Sequence, residues 1–209
     1  GDFLPTSPVT EDSFAEAGYD IPLLIGSNLN EWTVVGETMA DPNVPLSEEE
    51  LNTRLEAKYG ENAESVKQEF AEAYPNEPDT EALYVDSTLI RLPILKITAH
   101  KADQNGAPVY SYVFSWGTSY HTAEIPFVFS NTDRVTVSGD EEEARRLSDI
   151  MSRAWINFAR IGDPNGEGVP EWEPYTRESG ATMIFDNESY LTHNHDKELL
   201  SVLAPDYEY

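Results

Sequence analysis

Apolar positions along this chain fall into two spacings, and the changes between them outline the elements. Ile21-Pro22-Leu23-Leu24-Ile25-Gly26 is a continuous apolar run closed by glycine. Such a run predicts a strand buried on both faces, as in a parallel sheet. Residues 1–20, with Pro5 and Pro8, read as an extended, turn-rich lead. Ser47 and Glu50 have the spacing of a capping box, and Leu51, Leu55 and Tyr59 recur on one helical face before Gly60. Val66, Phe70 and Tyr74 repeat that spacing up to Pro75. A third helical stretch spans about 80–101, with a kink or break expected at Pro93.

Val109-Tyr110-Ser111-Tyr112-Val113-Phe114 is β-branched and aromatic and predicts a second strand. The strongest helix pattern covers 140–161, where Ala144, Leu147, Met151, Ala154, Trp155 and Phe158 keep three-four spacing. Gly162 and Pro164 end it. Ala181–Phe185 and Tyr190–Thr192 predict a terminal strand pair, and a short helix follows Asp196. This order of elements is α/β in class. Two buried-type strands cannot complete a sheet, since each needs neighbours on both edges. The expectation is a mostly parallel sheet flanked by helices, incomplete within this chain and open to self-association along an unpaired edge.

Composition narrows the function. Apolar residues make up 39% of the 209, enough for a core. The net charge of −26, from 39 acidic and 13 basic residues, argues against nucleic acid and against an anionic membrane surface. No run nears the ~20 apolar residues of a membrane span. Gly1–Pro5 lacks the basic and apolar regions of a secretory signal, and the compartment stays open. Without cysteine, disulfides, thiolate chemistry and cysteine metal sites are excluded.

Two strand-end loops carry candidate chemistry. Glu31 follows the first buried strand, and His121 follows the second in the polar, aromatic loop Ser115-Trp116-Gly117-Thr118-Ser119-Tyr120-His121. Loops beyond strand ends are where α/β folds put functional groups. Acid before histidine is the order of an α/β-hydrolase triad. In that chemistry histidine takes the serine proton and the acid holds the imidazole tautomer. No G-x-S-x-G elbow and no glycine-rich oxyanion loop occurs in the chain. His100 has no assigned role, and His193-x-His195 is a weak metal pattern without a third ligand.

Several collinear segments resemble type-B carboxylesterases, the family of para-nitrobenzyl esterases and cholinesterases. Gly1-Asp2-Phe3-Leu4-Pro5-Thr6-Ser7-Pro8 resembles D-G-x-x-L-P-x-x-P. Pro22 to Glu31 resembles the acid motif P-x-L-I-G-x-N-x-D-E-G, and Tyr110 to Phe114 resembles Y-x-Y-x-F. His121 to Phe129 resembles H-G-x-E-[IL]-P-F-V-F, and Trp155 to Asn165 resembles W-x-N-F-A-x-x-G-D-P-N. Pro170 to Tyr175 resembles P-x-W-P-x-Y.

The resemblance implies that residues 1–209 are the C-terminal part of an α/β-hydrolase esterase acting on a small-molecule ester, with no cofactor or metal. It implies Glu31 and His121 as catalytic residues, a serine on the N-terminal portion of the same esterase, and Glu124 fixing the histidine loop through hydrogen bonds. A non-catalytic binding or adhesion relative is the alternative, and a stand-alone domain is a third. The family has glycine after each catalytic residue, whereas this chain has Trp32 and Thr122. A β-branched Thr122 does not easily take the positive φ that glycine marks, so reshaped loops or relaxed catalysis are expected. Trp32, Trp116 and Tyr120 are candidates for a pocket wall or for packing.

Overall fold

A computed structural model describes residues 7, 9, 10, 12–31, 46–137 and 139–208. Trp32 and most of the Gly1–Pro8 segment lie outside these. The elements run β1 (Leu23–Asn28), α1 (Glu48–Tyr59), α2 (Ala63–Ala73), α3 (Arg91–Asp103), β2 (Val109–Phe114), α4 (Ile125–Val128), α5 (Glu141–Ile161), β3 (Ala181–Phe185), β4 (Tyr190–His193) and α6 (Lys197–Leu203).

One sheet carries the strands in the order β1-β2-β3-β4. β1 pairs with β2 and β2 with β3 in parallel, and β4 returns antiparallel to β3. β3 is therefore a buried member of the parallel sheet as well as half of a terminal pair. The sequence pattern of a pair alone understates this, because its second partner lies far away in the chain. β1 is an edge strand, and most of its residues are only partly buried.

Alternation in β2 explains the layers. Val109 packs with Leu92, Leu95 and Ala99 of α3, and Val113 joins Leu55, Val66 and Phe70 of α1 and α2. Tyr110, Tyr112 and Phe114 join the α5 stripe of Ala144, Leu147, Met151 and Ala154. The opposite clusters leave β2 buried throughout. Each fully buried large apolar side chain stabilises by roughly 1.5–3 kcal/mol relative to exposure.

Helix ends follow local chemistry. The Ser47–Glu50 capping box is present, and Asp140 Oδ1 accepts from the N–H groups of Glu142 and Glu143 at 2.9 and 3.0 Å. Gly162 ends α5 at φ 74°, in the left-handed region that suits glycine. The stretch 80–101 is not one kinked helix. A 3₁₀ turn covers Asp79–Leu83, and α3 begins only at Arg91. Asp86 caps α3, its Oδ2 accepting from the N–H groups of Ile90 and Arg91 at 3.0 and 2.8 Å. Pro93 falls in the first turn of α3, where its missing N–H has no intrahelical partner to lose. Among the described residues, no helix is long and apolar enough to cross a membrane.

Candidate active site

The parallel register aligns Asn28 with Phe114 and Phe114 with Phe185. The three strands thus end together, and the loops bearing Glu31 and His121 leave the same end of the sheet. Gly26 permits this approach. A Cβ there would stand 2.4 Å from both the ring and the carbonyl oxygen of Tyr112.

Beyond the strand ends the two loops continue side by side. Asn30 and Tyr120 form an isolated parallel bridge. Asn30 N–H donates to Ser119 O at 3.3 Å, and His121 N–H donates to Glu31 O at 3.1 Å. This backbone clasp brings Nδ1 of His121 to 2.6 Å from Glu31 Oε2, across 90 residues of sequence. The Glu31 side chain is 6% exposed and that of His121 is 48% exposed. Glu31 Oε1 accepts the Asn28 N–H at 2.8 Å, so both carboxylate oxygens are engaged. Burial raises the Glu31 carboxyl above its usual range, while the Asn28 N–H and the His121 ring oppose that rise.

Asn28 is the hub of the clasp, a role that its place in the acid motif does not reveal. Its Nδ2 donates to Tyr120 O and to Glu124 Oε2, each at 2.7 Å. Glu124 thus ties the histidine loop to the end of β1. The Glu124 carbonyl also accepts N–H groups from Phe127 and Val128 in the short helix α4. Burial and the nearby Glu124 and Glu31 carboxylates push the Tyr112 phenol up, so it stays neutral beneath the site.

Thr122 has φ 73°. The expectation that a β-branched residue avoids this conformation fails here. The hydrogen bonds on either side of Thr122, from Ala123 N–H to Tyr120 O and from Ile125 N–H to Thr122 O, hold the turn. Strain of this kind costs on the order of 1–3 kcal/mol and persists where the surroundings over-determine the backbone.

Tyr120 is partly buried and joins the clasp through its backbone. Trp116 is 3% exposed, packs on Phe127 and donates its indole N–H to Asn187 Oδ1 at 2.7 Å. Its contacts are those of the core. His193 Nε2 lies 3.1 Å from Glu173 on the surface, whereas His195 sits edge-on against the Tyr74 ring in the interior. The two do not converge on one point.

The carboxylesterase family model matches residues 1–201. The chain belongs to the carboxylesterase family. This carboxylesterase chain is 30% identical to a para-nitrobenzyl esterase of Bacillus subtilis, over 97% of its own length and 41% of the relative's. It is 30% identical to carboxylesterase 1C of Rattus norvegicus, covering 88% of itself and 37% of that protein. The chain spans about two-fifths of the length of these curated relatives.

A solved esterase from anaerobic Clostridium hathewayi, described as able to hydrolyze aliphatic aromatic polyesters, superposes with a TM-score of 0.84 at 31% identity. That match covers 93% of this chain and 39% of the other. A solved para-nitrobenzyl esterase superposes with a TM-score of 0.60 at 28% identity, covering 90% of this chain and 39% of that one. The fold is accordingly the C-terminal part of an α/β-hydrolase.

Proposed function

We propose that this chain is the acid- and histidine-bearing segment of a serine carboxylic-ester hydrolase. The observation that carries the reading is the 2.6 Å contact between Nδ1 of His121 and the buried Glu31 carboxylate. Glu31 keeps the proton of neutral His121 on Nδ1 and stabilises the imidazolium that forms during attack. Nε2 then takes the proton of a serine hydroxyl and returns it to the leaving alcohol. The serine and the oxyanion donors belong to the N-terminal portion of the esterase, whose sheet continues along the edge of β1 that no described strand covers. The partly buried β1 residues and the terminal place of β1 in the strand order support this continuation. Glu124 supports the histidine loop through Asn28.

The test is a nitrophenyl-ester assay on the purified chain, with and without the N-terminal portion of the same esterase. The chain alone is expected to give no turnover and no labelling by a serine-directed phosphonate. Addition of the other portion is expected to give both. Robust turnover by the chain alone would refute the division of labour. A folded complex carrying an intact elbow serine but inert to the phosphonate would favour a binding module.

A further inference from the structure

We infer that Glu81 is a positioning residue for the Glu31–His121 pair, acting through Asn30. This rests on the reading of Glu31 as the acid that orients His121. Asn30 immediately precedes Glu31 and is fully buried. Its Nδ2 donates to Glu81 Oε2. Its backbone N–H donates to Ser119 O at 3.3 Å, on the histidine loop. Asn30 is therefore held from two sides, by the loop that carries His121 and by Glu81.

A second bond joins the same segments, from Asp86 N–H to Leu29 O at 2.8 Å. The 3₁₀ turn that carries Glu81 is itself anchored. The Tyr59 hydroxyl donates to Ala82 O at 2.8 Å, and Lys58 Nζ donates to Leu83 O. Helix α1 thus sets the height of the acid loop, with Glu81 as the last link.

Packing alone does not fix the Glu81 side chain. It lines a cavity of about 490 Å³ together with Glu77, Gly117, Thr118, Asp186 and Asn187. Burial raises the Glu81 carboxyl, and the hydrogen bond from Asn30 opposes the rise. Glu77 beside it is pushed up to about 8 by burial, with the charges of Asp186 and Glu81 adding to the shift. These surroundings disfavour a carboxylate, and the Asn30 amide is what stabilises Glu81 there. The same bond fixes the direction in which the backbone enters Glu31. Constellations of this kind need their groups held to within about 0.5 Å.

The test reads the ring tautomer of His121 in the isotopically labelled chain. Long-range proton–nitrogen spectra of the neutral ring report which nitrogen carries the proton. The parent is expected to hold mainly the Nδ1–H form against Glu31. Glu81→Gln removes the charge but keeps the length and an acceptor oxygen, and is expected to retain that majority. Glu81→Asp keeps the charge but falls a methylene short, and is expected to lose it to the Nε2–H form. A purely electrostatic influence predicts the reverse, and a retained majority in Glu81→Asp or a lost one in Glu81→Gln overturns the inference. Asn30→Ala removes the donor instead of the acceptor and is expected to follow Glu81→Asp; a retained majority there overturns the inference as well. Cooperative thermal melting is the folding control. A parent without the Nδ1–H majority removes the pair, and both readings fall with it. A parent that has it, with an unresponsive Glu81→Asp, removes Glu81 alone.

Discussion

Two of the histidines that sit beside a carboxylate, His121 and His195, have opposite surroundings. His121 is half exposed, on a loop beyond the strand ends, with Nδ1 2.6 Å from Glu31. The His195 side chain is 6% exposed, and its Nδ1 lies 3.6 Å from Asp196 Oδ1, beyond hydrogen-bond reach. The nearer oxygen of Asp196 to any cation is Oδ2, which accepts from Arg91 Nε at 2.7 Å deep in the interior. Burial lowers His195 to about 4, and the Arg91 guanidinium holds Asp196 down at about 2. The interior pair is locked in one protonation state at neutral pH and is part of the packing. On the proposed reading, a histidine beside an acid is not enough. Proton transfer needs one face of the ring toward solvent and the other toward an acid that no cation has claimed.

Substitution in the intact parent protein breaks the comparison most sharply. His121→Ala is expected to reduce ester turnover on the order of 10⁶-fold, the scale seen when one member of a concerted serine–histidine unit is removed. His195→Ala is expected to leave turnover per folded molecule unchanged while lowering the melting temperature. Equal turnover in the two variants would take His121 out of the site.

Acid titration of stability sharpens the contrast. With its folded value near 4 against 6.5 for the free side chain, His195 makes the unfolded chain bind more protons across that interval. Its contribution is therefore complete above about pH 6.5 and is lost as the pH falls toward 4. The loss is on the order of 3 kcal/mol. Calorimetric melts of His195→Phe between these limits are expected to show a flatter pH dependence than the parent. An unaltered slope would mean that another group sets acid sensitivity.

The smallest expected effect concerns Thr122, beside the exposed histidine. Thr122→Gly relieves the positive φ, and after glycine's greater unfolded-state entropy it is expected to stabilise by about 1 kcal/mol. At this chain length that is a rise of about 2–4 °C in melting temperature. A fall instead would mean that the threonine side chain makes compensating contacts.

Much of this fold was readable from local pattern. Val109–Phe114 and the stripe of α5 declare themselves because burial follows their intrinsic periods. The start of α3 does not, because its cap, Asp86, lies five residues before Arg91, while Pro93 in the first turn gives a misleading break signal. Nor does the place of β3 in the parallel sheet, which depends on Ser111–Phe114, some seventy residues earlier. Glu31 and His121 stood out by strand-end position and by resemblance. Glu81 did not, since its bond to Asn30 spans 51 residues and no short motif encodes it; Asn28 falls within the acid motif, but its bond to Glu124 spans 96 residues and the motif does not reveal it.

Gly26 carries a mechanical consequence for the pair. The strands bearing the two loops touch at Gly26 and Tyr112, where a single added carbon would overlap the ring and the backbone. Such a carbon acts as a spacer wedged into a hinge, and its displacement is passed along both loops to their tips. A misplacement of about 1 Å between reacting groups can cost on the order of 10²-fold in rate. The alignment tolerance of this site is thus set five residues upstream of Glu31, by a position that holds only a hydrogen.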